Sequence, residues 1–92
     1  MIRSFRSKAL RRYVEGGDRS KLSIVNLRRL DAMLTTLDEA EAPEEMDTPG
    51  WRFQALKGNM AGRYAVTVSG NWRLTFGWDG LHAIDVDLED YH

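Results

Sequence analysis

There is no cysteine anywhere in this 92-residue chain. That single absence removes disulfide staples, thiolate metal sites and a cysteine nucleophile together. Histidine is nearly as scarce, and His82 and His92 stand at no spacing familiar from metal centres. No apolar run approaches the roughly 20 residues of a membrane span. The opening Met1-Ile2-Arg3-Ser4-Phe5-Arg6 carries charge with no apolar stretch behind it, so it does not read as a secretory signal, and the expected location is the cytoplasm. Neither G-x-x-x-x-G-K-S/T nor G-x-G-x-x-G occurs, which leaves nucleotide-cradling loops without support. Asp85, Asp87 and Asp90 have the oxygen chemistry for Mg²⁺, but alternating acids on an exposed strand are ordinary solvation, and the expectation is no metal and no cofactor. Internal repeats and low-complexity tracts are missing too.

What is present is enough apolar material, 42% of residues, for one core and one domain over residues 1–92. The net charge of −1 conceals a strong segregation. Residues 1–30 hold nine bases and two acids, a net of +7. Residues 31–50 hold seven acids and no base, a net of −7. A basic face of that strength binds polyanions, or is a solvated helix face partly neutralised by the acidic segment, and the sequence leaves both open.

The periodicity changes halfway along. Ile2 to Phe5 reads as a short opening strand. Ser4 or Ser7 then caps a helix through Lys8 to Val14, with Leu10, Tyr13 and Val14 on one side, and Gly16-Gly17 stops it. Ser23 is the cap candidate for a second helix, whose Leu27, Leu30, Leu34 and Leu37 recur at steps of three and four. Val25, Ala32 and Met33 widen that stripe. The helix is expected to fray near Asp38 to Ala42 and to end at Pro43, followed by an acidic linker over residues 43–50. From there the period is two. Strands are expected over Trp51 to Lys57, Arg63 to Val68, Trp72 to Trp78 and Leu81 to Leu88. Asp79-Gly80 favours a type I′ hairpin turn. In the last strand Ile84, Val86 and Leu88 should share one face, with Asp85 and Asp87 on the other. The fold class is α+β, with a short N-terminal strand and two helices packed on one face of an antiparallel sheet.

The groups left for chemistry suit metal-free phosphodiester cleavage. RNA carries its own nucleophile, the 2′-hydroxyl, so a protein need only supply a base, an acid and cations for the phosphorane. Arg73 falls on the polar side of a strand, and its fork matches phosphate geometry. Lys57 sits at a strand end beside a loop. Asp90, Tyr91 and His92 add a carboxylate, a phenol able to stack on a base, and an imidazole. Each has a plainer reading: Arg73 paired with Asp85 or Asp87, Lys57 as a surface lysine, His92 as a loose end.

The start Met1-Ile2-Arg3-Ser4-Phe5-Arg6, the segment Leu56-Lys57-Gly58, the stretch Gly70-Asn71-Trp72-Arg73-Leu74-Thr75-Phe76 and the ending Asp90-Tyr91-His92 together resemble the HigB toxins of the RelE/ParE superfamily. The resemblance spans the whole chain. It implies a RelE-like fold, a type II toxin, and a ribosome-dependent endoribonuclease that cuts translated messenger RNA in the A site. It further implies a HigA-type helix-turn-helix antitoxin as partner, with operator DNA reached only through the toxin–antitoxin complex, and no membrane. Carried over by position, Lys57 and Arg73 match phosphate-binding residues, and Asp90, Tyr91 and His92 match the acid–base and base-stacking tail. Arg3, Arg6, Lys8, Arg11, Arg12 and Arg63 would contact RNA or the ribosome. Gln54 stands where some relatives have His, and Ser69 where some have Arg, which bears on rate and codon preference. Two other readings remain: a ParE-like inhibitor that binds DNA gyrase, and a degenerate toxin kept as an antitoxin-binding partner.

Overall fold

The computed structural model describes residues 1–23 and 26–90. Two α-helices precede a four-stranded sheet: α1 (Lys8–Gly16), α2 (Leu27–Glu39), β1 (Gln54–Ala55), β2 (Arg63–Ser69), β3 (Trp72–Asp79) and β4 (His82–Asp90). The strands lie in the order β1-β2-β3-β4, each antiparallel to its neighbour. This is the expected α+β arrangement. The opening segment is not a full strand. Ile2 and Phe5 make isolated parallel bridges to Ala83 and Val86, so the first residues run along the outer edge of β4.

Local chemistry sets the helix ends. The Ser7 hydroxyl accepts from the Leu10 N–H at 3.1 Å, and Gly17, at φ 72°, closes α1 by donating to the Arg12 and Tyr13 carbonyls. The cap of α2 is Asn26, whose side chain accepts from the Arg29 N–H at 3.1 Å; Ser23 lies three residues too early. The leucine stripe faces inward as its spacing predicts, with Leu30, Met33, Leu34 and Leu37 buried. Val25 lies outside the described residues. The helix ends at Glu39, and Pro43–Met46 form a 3-10 turn rather than a loose linker. Pro43 and Met46 are buried there, because this turn folds its apolar side back under α2 while its glutamates face water.

One core joins the layers. Leu10, Leu30, Met33, Leu37 and Met46 pack against Val66, Val68, Leu74, Phe76, Ala83 and Val86 of the sheet. The Tyr13 hydroxyl donates to the Asp31 carboxylate and ties α1 to α2; this bond is the chief reason the phenol's pKa lies above its usual value.

Three details of the sheet depart from simple alternation. The expected strand over Trp51 to Lys57 shrinks to Gln54–Ala55. Both hairpins place Gly first in a two-residue loop, Gly70-Asn71 and Gly80-Leu81, with only the glycine at positive φ. That is the type II′ pattern, not type I′. Most consequential is a bulge in β4. The register shifts between Thr75 and Gly77, and Asp85 takes φ 49°. Ile84 therefore pairs with Gly77 and lies on the face opposite Val86 and Leu88. A Cβ on Gly77 would meet the Ile84 side chain at 3.3 Å, so glycine makes room for the turned isoleucine.

Candidate active site

The face of the sheet away from the helices is formed by Gln54 of β1, Arg63, Ala65 and Thr67 of β2, Arg73, Thr75 and Gly77 of β3, and Ile84, Asp87 and Glu89 of β4. Pairing places them in rows. Gln54, Ala65, Thr75 and Asp87 make one row, and Thr67, Arg73 and Glu89 the next. Among the described residues no helix covers this face, yet Ala65 and Thr75 are fully buried, because long side chains such as Arg63 reach over the small ones.

The centre of that cover is Arg63. Its Nη2 donates to Thr75 Oγ1 at 3.0 Å and to the Asp85 carbonyl at 2.9 Å, and the Thr75 hydroxyl donates in turn to Glu89 Oε2. The bulge at Asp85 is what turns a β4 carbonyl toward the guanidinium. Arg63 is only 9% exposed, so the side chain expected on the RNA-binding surface belongs to the sheet's own polar network. Burial lowers its pKa first and neighbouring Arg6 second, while Glu89, Asp87 and Asp85 act the other way. Burial also holds the Asp87 carboxyl above the usual aspartate range; the Leu88 N–H opposes this and Glu89 adds to it.

At the other end of β2 the chain turns a strained corner. Gly50 has φ 87° and Arg52 has φ 54°. A left-handed backbone costs a non-glycine residue about 1–2 kcal/mol, so something must hold it. Arg29 of α2 does so, donating through Nη2 to the Gly50 carbonyl at 2.5 Å and through Nε and Nη2 to the Thr67 carbonyl at 3.2 and 3.1 Å. The Thr67 N–H donates to the Trp51 carbonyl at 2.8 Å. This corner also explains why β1 is so short.

Beside the corner opens a cavity of about 330 Å³, lined by Arg52, Gln54, Thr67, Gly70, Asn71 and Arg73. Two guanidiniums and two carboxamides therefore meet there, with no acid among the described lining residues. Such a set suits an anion flanked by hydrogen-bonding edges, as in a nucleotide.

The other expected residues fall as follows. Arg73 is in the cavity, and the register sets Glu89, not Asp85 or Asp87, across from it. Lys57 is exposed, after β1, at the start of a 3-10 turn over Gly58–Met60. The Leu56 N–H bonds to the Arg63 carbonyl, so Lys57 lies past the level of Arg63. Thr67, which pairs with Arg73, is four residues further along β2, about 13 Å at ~3.3 Å per residue. Asp90 is exposed and pairs with Trp72, so strand alternation turns it to the face opposite Arg73. Tyr91 and His92 lie outside the described residues. Arg3, Arg6, Lys8, Arg11 and Arg12 are all exposed, with Arg3 3.4 Å from Asp79 and Arg11 3.9 Å from Glu15. Sequence reasoning missed Arg52 by assigning it to a regular strand. The signal was Pro49-Gly50, separated from it by Trp51 alone, which marks a turn.

Comparison with known proteins bears on these residues as a whole. A family model described as the RelE-like toxin of type II toxin–antitoxin system HigB matches residues 3–92. The chain is 33% identical to "Endoribonuclease HigB" of Proteus vulgaris over 92 residues, covering all of both chains. It is 36% identical over 86 residues, 88% of each chain, to "Toxin HigB-1" of Vibrio cholerae serotype O1.

Proposed function

The chain belongs to the HigB family of RelE-like toxins of type II toxin–antitoxin systems, and on that premise we propose that it is an endoribonuclease that cuts messenger RNA on the translating ribosome, in the A site, without a metal. The observation that carries this reading is the cavity in which Arg73 meets Arg52, Gln54 and Asn71. An RNA backbone laid there has its phosphate against a guanidinium fork. The 2′-oxygen attacks phosphorus, its proton passes to a base, and the departing 5′-oxygen takes a proton from an acid. Arg73 stabilises the charge that builds on the equatorial oxygens. Lys57, at the far end of the face, adds positive charge along the RNA backbone away from the phosphate on Arg73. The tail after β4 supplies the proton transfers and the stacking: His92 is the acid–base group beside the phosphate, Tyr91 stacks on a base, and Asp90, turned to the other face at the end of β4, serves from the strand's edge. Gln54, at the cavity wall, positions substrate by hydrogen bonds and does not exchange protons.

Membership of the family brings an antitoxin partner. We assign that partner to the HigA type, a helix-turn-helix protein through which the complex reaches operator DNA. Exposed Arg6, Lys8, Arg11 and Arg12 support docking on ribosomal RNA, where phosphate contacts add sequence-independent affinity. Among the described residues no helix is long and apolar enough to cross a membrane. A site of action on ribosomes places the protein in the cytoplasm.

The test is induced expression of wild type and Arg73→Ala in growing cells, with transcript 5′ ends mapped. Wild type should arrest growth and leave codon-phased cuts, and Arg73→Ala should do neither. Equal arrest by both, with no phased cuts and with supercoiling blocked, would instead point to gyrase inhibition.

A further inference from the structure

We infer that Arg52 is a second substrate-gripping cation of this site, holding the RNA phosphate next to the one on Arg73. This rests on the endoribonuclease reading above and deepens it. Three observations carry it. Arg52 lines the same cavity as Arg73. Among the described residues its guanidinium makes no hydrogen bond or ion pair, unlike that of Arg63 on the same face, which the sheet's own network uses. Its backbone sits left-handed at φ 54° directly after two carbonyls that are tied down, that of Gly50 by Arg29 and that of Trp51 by the Thr67 N–H.

A left-handed corner is best served by Gly or Asn. An arginine there gives the corner nothing, so its value lies in where the side chain goes. The clamp from α2 fixes the origin of that side chain, and the cavity beside it contains no carboxylate among its six lining residues. Two guanidiniums lining one cavity favour an anionic ligand there. A single phosphate group occupies Arg73, and the continuous RNA backbone presents the next phosphate to Arg52. Gln54 and Asn71 lie in the same cavity, within reach of the sugar and base edges.

Arg52 thus acts on binding and Arg73 on the reacting phosphate, and kinetics separate the two. Wild type, Arg52→Gln, Arg52→Lys and Arg73→Ala would be assayed on message-programmed ribosomes, and for affinity on a message with a 2′-deoxy residue at the cut position. For Arg52→Gln we expect KM and Kd to rise about tenfold, the loss of one charge-assisted contact, with kcat within about twofold. The slope of log affinity against log salt should flatten by about 0.7, the figure for one phosphate of a single strand. Arg52→Lys should restore the slope. Arg52→Gly, which suits the corner, should keep the melting temperature of wild type while sharing the affinity loss. An unchanged KM and salt slope in Arg52→Gln overturns the inference, as does a fall in kcat at constant KM. Absence of cleavage by wild type is the failure of the endoribonuclease reading alone. Binding of a free single-stranded RNA by wild type and Arg52→Gln then decides the role of Arg52, equal salt slopes overturning it.

Discussion

Replacing Thr75 by valine tests whether the face opposite the helices is held by a polar chain or merely by packing. The hydroxyl is fully buried and serves two charged partners: it accepts from Arg63 Nη2 at 3.0 Å and donates to the Glu89 carboxylate. Hydrogen bonds to charged groups contribute about 1.5–3 kcal/mol each. Both are lost in Thr75→Val, but not at full value. Arg63 keeps its 2.9 Å bond to the Asp85 carbonyl, and half-buried Glu89 turns partly to water. The added methyl returns about 0.8 kcal/mol of apolar burial. The net loss is about 2 kcal/mol, which for a domain of this size lowers the melting temperature by roughly 8–16 °C. Urea unfolding should show a lower midpoint at an unchanged slope. The double variant with Glu89→Gln should lose less than the sum of the singles, with a coupling of about 1 kcal/mol. A loss below about 0.5 kcal/mol, or strict additivity, would refute the idea that Arg63, Thr75 and Glu89 act as one unit.

Three further outcomes follow from the same geometry. Asp87→Asn should stabilise the protein at neutral pH. Burial raises the native carboxyl's pKa, so folding binds its proton, and native stability falls as pH climbs from the ordinary aspartate value through the raised one; urea midpoints of the two proteins should differ most near neutral pH and converge as the carboxyl is protonated in acid. Arg29→Ala removes three bonds to the Gly50 and Thr67 carbonyls and should destabilise by about 2–3 kcal/mol, with RNA affinity falling as the corner loosens, measured by urea unfolding and filter binding. Arg73→Ala should lower kcat by about 10²–10³-fold in a ribosome-programmed cleavage assay while the far-ultraviolet circular dichroism stays that of wild type.

Much of the fold was legible because its signals are local and strong. Ser7 before a basic amphipathic run, the leucines at 27, 30, 34 and 37, and the glycines of both hairpins each state their structure within a few residues. What was hidden depends on partners far away. Met46 reads as part of an acidic stretch until α2 is beside it. Asp85 has no glycine to announce its positive φ; the Ser4 hydroxyl accepts from its N–H at 2.9 Å, across 81 residues. That bulge in turn reversed Ile84. Arg63 looked like a surface base because strict alternation places it away from the helices, and only its bonds to Thr75 and to the carbonyl of the bulged Asp85 hold it down on the sheet. Of the site, Arg73 was legible from its strand. Its cavity companion Arg52 was not, since its place follows from a corner that Arg29 holds from another element.

The segment before α1 bears on when this protein becomes itself. The Met1 carbonyl accepts from Ala83 and that of Ser4 from Val86, and the same serine braces the bulge whose carbonyl anchors Arg63. Residues made early on the ribosome thus wait for partners 81 positions later before they find a place. Contacts of such long sequence separation form late. Until β4 has left the exit tunnel, the sheet has no outer strand, no bulge and no Arg63–Thr75–Glu89 chain. The order of synthesis itself therefore postpones assembly of this face until β4 is free to pair.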